Sequence, residues 1–235
     1  MSKRFGRDWG RRFWGPVLNL LIKLFVRVEV RSAENLPPDG AGIVYYNHIH
    51  WADPPLVCGS LARYAVPLAK EETSKFPFVG WVLRGYGVIF IARGAVDRAA
   101  LQATWEVLRR GDIMVIAPEG TRSRDGKLLE SKEGLIFIAK RVPETWFMPC
   151  AVEGTTAFQL KFPEVLRRPR VKLTYGRPFR LRWPSGADAE RIDRKLLAEM
   201  TRAAMGELAA LLPPEMRGAY AEPDESARRW IDYGV

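Results

Sequence analysis

The chain has 235 residues, 47% of them hydrophobic and 27% charged, enough for one large domain with its own core and unlike a disordered tail. Lys and Arg number 37 against 27 Asp and Glu, a net charge of +10. That excess points to a polyanion: nucleic acid, an anionic membrane surface or a phosphorylated substrate. Two cysteines, Cys58 and Cys150, exclude a disulfide scaffold and fit no zinc spacing. Both read as small buried apolar groups in a reducing compartment.

The charge is concentrated at the start. Residues 1–31 carry eight basic and two acidic side chains, among them Arg11, Arg12, Lys23 and Arg27, with Phe5, Trp9, Phe13, Trp14, Leu20, Leu24 and Phe25 interspersed. Asn19 and Lys23 interrupt the apolar run, so it falls short of the ~20 residues that span a bilayer. No small-residue cleavage site follows closely, which argues against a secretory signal. A basic, Trp-bearing amphipathic helix over residues 1–28, lying on an anionic membrane surface, suits this composition. A terminal helix packed on the core with its charges in water is the alternative.

Beyond it, short apolar runs bounded by turn residues predict strands at Gly42–Tyr46, Gly87–Ala92, Ile113–Ala117, Phe147–Val152 and Val171–Tyr175. Helical spacing of Leu101, Trp105 and Leu108 predicts a helix over Asp97–Arg110, stopped by Gly111. Ser131–Arg141 is a second candidate helix, and Asp188–Leu212 is the longest, ended by Pro213 and Pro214. This alternation predicts an α/β fold: a single domain over residues 29–212 with a mainly parallel central sheet flanked by helices. Residues 213–235 read as a polar, loosely held tail, with Trp230 and Tyr233 able to dock.

Both histidines of the chain lie in Asn47-His48-Ile49-His50-Trp51-Ala52-Asp53-Pro54-Pro55, directly after a predicted strand. A histidine titrating near neutrality is the usual general base, and a carboxylate can fix its tautomer. His48 and Asp53, five residues apart, would face apart on a helix or a strand and meet only across a turn. Pro54 supports such a turn, because it disfavours helical geometry at Asp53 and suits a first helical position. A second cluster, Pro118-Glu119-Gly120-Thr121-Arg122-Ser123-Arg124-Asp125-Gly126, follows the strand at Ile113. Gly120 lets the backbone approach a ligand, Thr121 and Ser123 offer hydroxyls, and Arg122 can grip a phosphate through two donors. A third element is the strand that ends in Arg93. Each alone is as readily an ordinary structural feature.

Taken in order, an NHxxxxD block, a strand ending in Arg, a PEGTRS block and a later strand containing Pro149 resemble the glycerolipid acyltransferases. The branch they resemble is the bacterial 1-acyl-glycerol-3-phosphate acyltransferases, over residues 30–180. The resemblance implies a membrane-associated αβ acyltransferase, peripheral on the cytoplasmic face, with no metal, no cofactor and no nucleic-acid partner. By position it makes His48 the base and Asp53 its partner. It assigns acceptor binding to Arg93, Glu119, Gly120, Thr121 and Arg122, and gives Pro149 the pocket behind them. It implies transfer from acyl-CoA or an acyl carrier protein to the free hydroxyl of lysophosphatidic acid, giving phosphatidic acid. Another lyso-lipid acceptor, such as a lyso-ornithine lipid, is a second reading; a non-enzymatic basic membrane- or nucleic-acid-binding protein is a third. His50 rivals His48 for the base role but has Pro55 five positions on. Backbone amides in the His48–Asp53 turn are the expected oxyanion donors. Ala52 and Ala117 depart from the family's usual larger residues, which bears on acyl or acceptor preference.

Overall fold

The computed structural model describes residues 13–17, 20, 24–92, 97–159, 163, 167–184 and 193–235. It begins with helical residues at 13–17. Strand β1 (Arg27–Arg31) and strand β2 (Gly42–Tyr46) lead to helix α1 (Asp53–Ser60). Strand β3 (Ala65–Lys70) and a 3-10 turn (Glu71–Lys75) lead to α2 (Pro77–Tyr86), β4 (Ile89–Ile91), α3 (Arg98–Arg109) and β5 (Ile113–Ile116). Then come α4 (Gly134–Ala139), β6 (Trp146–Glu153), β7 (Arg170–Tyr175), β8 (Phe179–Leu181), α5 (Arg194–Leu211) and β9 (Ile231–Asp232).

The sheet runs β1-β7-β6-β2-β5-β3-β4, with β8 and β9 added beside β6. Its central strands β6, β2, β5, β3 and β4 are mutually parallel, and β7 and β8 run against β6. This is the expected α/β fold with a mainly parallel sheet. The run GIVYY of β2 is buried at every position, as strands covered on both faces must be. Ile43 and Tyr45 face the layer of α3, α4 and α5, while Val44 and Tyr46 face the layer that includes α1. Tyr45 fixes the longest helix to the sheet by donating from its hydroxyl to the Ala204 carbonyl at 2.7 Å. Burial, helped by the nearby Glu207, pushes its pKa well above the ordinary tyrosine value.

Several elements differ from the sequence reading. Gly87 does not begin a strand. It adopts φ +92° and closes α2, its N–H donating to the Leu83 and Arg84 carbonyls, a left-handed stop that glycine makes without strain. Asp97 caps α3 by accepting from Ala100 N–H, and Asp193 caps α5 by accepting from Leu196 N–H. The expected helix start at Asp188 lies outside the described residues. β1 opens at Arg27 and pairs in parallel with β7, so the expected boundary at residue 28 falls inside the sheet. The C-terminal segment is not loosely held. Ala227 and Ile231 are buried in the core, β9 pairs with β8, and Tyr233 donates to Glu207 at 2.6 Å. Its polar composition hid an apolar minority placed where the sheet edge needed cover. Of residues 1–28, only 13–17, 20 and 24–28 are described; among the described residues no helix is long and apolar enough to cross a membrane.

Candidate active site

Because β2, β5, β3 and β4 are parallel, their carboxyl ends share one edge of the sheet, the edge at which α/β folds bind ligands. At the end of β2, Asn47 takes the chain out of the ladder. Its side-chain amide donates to the Val152 carbonyl at 2.9 Å, and its side-chain oxygen accepts from Val152 N–H at 2.7 Å. A side chain thus replaces a backbone pair with β6, and the main chain is free to turn.

His48, Ile49 and His50 then wrap around Asp53, the first residue of α1. One oxygen of that carboxylate, Oδ2, lies 2.9 Å from His48 Nδ1 and accepts from Ile49 N–H and His50 N–H, each at 2.7 Å. Asp53 is fully buried, and its Oδ1 has no partner among the described residues. A carboxylate only accepts, so in the neutral ring Nδ1 carries the proton and Nε2 the lone pair. The imidazole is 17% exposed and stands edge-on to Tyr46 at 5.8 Å.

His50 is built differently. Its ring packs against Trp51 and Phe158 at centroid distances of 5.3 and 6.2 Å. Burial first, then the charges of Arg122 and His48, lower its pKa below the ordinary value, against the opposing pull of Asp53. The carboxylate contacts the His48 ring and only the backbone of His50, the distinction that the five-residue spacing to Asp53 implied.

Glu119 enters from the end of β5. It is 3% exposed, and its two oxygens accept from His48 N–H at 2.8 Å and Leu129 N–H at 2.9 Å. Ser123 N–H returns the tie by donating to the His48 carbonyl at 2.7 Å. Burial outweighs these two bonds to the carboxylate and pushes the Glu119 carboxyl up to about 7. Gly120 turns the loop at φ +68° and is exposed, as are Thr121 and Arg122. Lys132, which the sequence reading passed over, lies beside Gly120: a Cβ there would sit 3.7 Å from its Nζ. No spacing rule reaches across the loop between them.

Most of the amides in the His48–Asp53 turn, the expected source of oxyanion donors, are already engaged. The amides of His48, Ile49 and His50 all point to carboxylates, and Asp53 N–H donates to the His50 carbonyl. Pro149 is buried mid-strand in β6; its ring lies 2.7 Å from where a Gly176 Cβ would be, next to Leu211 of α5. It is not gathered into the His48 cluster. Arg93 lies outside the described residues.

A family model described as Acyltransferase matches residues 27–153, a span containing every candidate site residue. The chain belongs to the acyltransferase family. The 1-acyl-sn-glycerol-3-phosphate acyltransferase of Borreliella burgdorferi is 34% identical over 138 residues, 58% of this chain and 55% of that protein. The enzyme of the same name from Bacillus subtilis is 25% identical over 168 residues, 71% of this chain and 81% of its own length. A lyso-ornithine lipid O-acyltransferase of Rhodobacter capsulatus is 33% identical over 124 residues, 50% of this chain and 43% of that protein. The chain thus spans about half the length of two of these three relatives. The crystal structure of the 1-acyl-sn-glycerophosphate acyltransferase PlsC from Thermotoga maritima superposes with a TM-score of 0.60 at 28% identity, covering 86% of this chain and 84% of that one.

Proposed function

We propose that this acyltransferase moves a fatty acyl group from a thioester, acyl-CoA or acyl carrier protein, to the free hydroxyl of lysophosphatidic acid. The observation that carries the reading is the 2.9 Å contact between His48 Nδ1 and an Asp53 oxygen already held by two amides. It orients the ring in a way that supports Nε2 as the base. Nε2 takes the acceptor hydroxyl proton as the oxygen attacks the thioester carbonyl, and Asp53 stabilises the resulting imidazolium. The tetrahedral intermediate then collapses with loss of the thiolate, which takes the proton back from His48. Such a base contributes about 10²–10⁴-fold, and holding the two substrates together adds to it.

Arg122 and Lys132 flank Gly120 and offer the phosphate of the acceptor positive charge; Arg93 would join them by resemblance. Glu119 acts in this reading by holding the His48 backbone, since both its oxygens face amides. The protein works as a peripheral enzyme at a lipid surface, with no cofactor of its own.

The test is thiol release from oleoyl-CoA with purified protein, with and without lysophosphatidic acid. Release that needs the acceptor, and falls about 10²-fold or more in His48→Ala, is expected. Wild-type rates in His48→Ala overturn the base. Release with a lyso-ornithine lipid and not with lysophosphatidic acid overturns the acceptor.

A further inference from the structure

Helix α2 is inside out. Its buried residues are Gly80 and Tyr86. A Cβ on Gly80 would lie 2.2 Å from the Ser74 carbonyl oxygen, so glycine is what lets the helix sit tightly on the preceding turn. The large apolar residues at its start face the other way: Phe76, at the N-cap, is 63% exposed, Phe78 70%, Val79 44% and Trp81 57%. Soluble proteins scatter exposed apolar side chains singly. Here four fall between Phe76 and Trp81, flanked by Lys75 and Arg84, both exposed.

This face is joined to the start of the chain. Trp14 meets Trp81 edge-on at 5.1 Å, and its Nε1 lies 2.9 Å from where a Gly85 Cβ would be. The missing side chain at Gly85 is the socket for that indole. Phe13, Leu20 and Leu24 on the same stretch are exposed as well. Each segment thus presents apolar side chains to solvent, and the two are joined at the Trp14–Trp81 contact.

The position of α2 matters as much as its surface. β3 ends at Lys70 on the same sheet edge at which β2 ends before His48 and β5 ends before Glu119. From Lys70 the chain makes one 3-10 turn and enters Phe76. The exposed aromatics thus begin on the edge that carries the candidate site.

We infer that α2, through Phe76, Phe78, Val79 and Trp81, is a membrane-docking surface that sets the His48 edge against the lipid. The occupant is a bilayer surface, argued from charge: the chain carries +10, Lys75 is exposed next to Phe76 where anionic headgroups would lie, and Arg84, whose guanidinium donates to the Ser74 carbonyl at 3.1 Å, adds an exposed cation on the Gly80 side. Glu71 and Glu72, also exposed, stand at the far end of the 3-10 turn and keep that part out of the headgroups. Apolar side chains with nearby cations are the composition that enters the acyl boundary. The lipid acceptor then reaches His48 without leaving the bilayer. This inference rests on the lipid-acyltransferase reading for what is delivered, and on α2 alone for the binding.

The full chain is sedimented with phosphatidylcholine vesicles, with and without phosphatidylglycerol, and compared with Phe76→Ser/Phe78→Ser. Wild type should pellet with both, more with the anionic vesicles, and the variant should partition about tenfold or more weakly to each. Both side chains face solvent, so an unchanged melting midpoint is the expected folding control. The single variant Val79→Asp, which places a charge on the same face, should weaken partition in the same direction. Equal partition of wild type and variants overturns the inference, as does a wild type left in the supernatant. A concentration-dependent dimer that the variant abolishes, with vesicle binding unaltered, overturns it in favour of a second copy of the chain. Vesicle loss in a protein that releases no thiol leaves the surface standing and sinks only the catalytic reading.

Discussion

At the scale of single residues, the site is a set of carboxylates that organise backbone. Asp53 Oδ2 gathers three N–H donors while Oδ1 has none among the described residues. An Asn at this position is steered by that asymmetry: its oxygen must face the three donors and its NH₂ must take the Oδ1 side. Asp53→Asn should therefore keep the loop and the His48 tautomer and lose only the charge that, in the proposed reaction, stabilises the imidazolium. A hydrogen bond to a charged group exceeds a neutral one by about 1–1.5 kcal/mol, so the rate should fall about tenfold, less than in His48→Ala. An Asp53→Asn rate as low as that of His48→Ala would show that the charge does more than this. Glu119 gives a second test. Its folded pKa, about 7 against 4.5, is raised, so between those values the folded state holds a proton that the unfolded state has lost. Stability then falls as pH rises from 4.5 to 7, by no more than roughly 3 kcal/mol from this group, and the full cost is present above that window. Glu119→Gln removes the titration, and its urea midpoint should change less between about pH 5 and pH 8 than that of wild type. A parallel pH dependence in the two proteins would refute the assignment.

At the scale of elements, the end of the sheet away from the site is closed by one side chain. Arg63 donates to the carbonyls of Pro37, Asp39, Gly40 and Gly111 at 2.7–3.0 Å, and its guanidinium lies 5.8 Å from the Trp146 ring. Trp146 in turn lies over Gly42, where a Cβ would approach the indole to 2.1 Å. A lysine cannot reproduce a planar fork across four carbonyls, so Arg63→Lys should cost about 1–3 kcal/mol of stability and leave turnover of the folded enzyme unchanged. A drop in kcat at a temperature where the variant is fully folded would contradict that separation. The strands that carry the site were legible in the sequence because burial on both faces makes each a continuous apolar run, as in β2 and β5. The edge strands β1 and β9 were not, since their residues are mostly exposed or few and their pairing is set by distant partners. α2 was missed because its aromatics point outward, against the pattern that marks a core helix. His48 and Asp53 were legible as a pair from spacing and Pro54; that Glu119 faces amides was not, since its partners Leu129 and His48 are set by the loop's path.

At the scale of the whole molecule, the C-terminal segment is coupled to the site through the loop after β5. Met216 and Gly218 belong to two 3-10 turns that follow α5. Leu128 N–H donates to the Met216 carbonyl at 2.9 Å, Ala219 N–H donates to the Leu128 carbonyl at 3.0 Å, and Ser131 N–H donates to the Tyr220 hydroxyl at 2.9 Å. The next residue, Leu129, supplies one of the two amides that hold Glu119, and Glu119 holds His48. A chain of hydrogen bonds thus runs from the C-terminal segment through Glu119 to His48. Gly218 is its tightest point: it has φ +49°, and a Cβ would lie 2.2 Å from the Leu128 carbonyl oxygen. Gly218→Ala must therefore push loop residues 128–131 aside or unseat the C-terminal turns, at about 1–3 kcal/mol. The displacement reaches Leu129 first, so kcat should fall together with stability, although Gly218 touches neither substrate nor His48. Removing residues 222–235 uncovers the core sites of Ala227 and Ile231 while sparing Met216, Gly218 and Tyr220; it should lower the melting midpoint and leave kcat of the folded fraction near wild type. Comparing the two variants at matched folded fraction separates support of the loop from support of the core. Equal kcat losses in both would mean that the C-terminal segment acts on the site only through global stability.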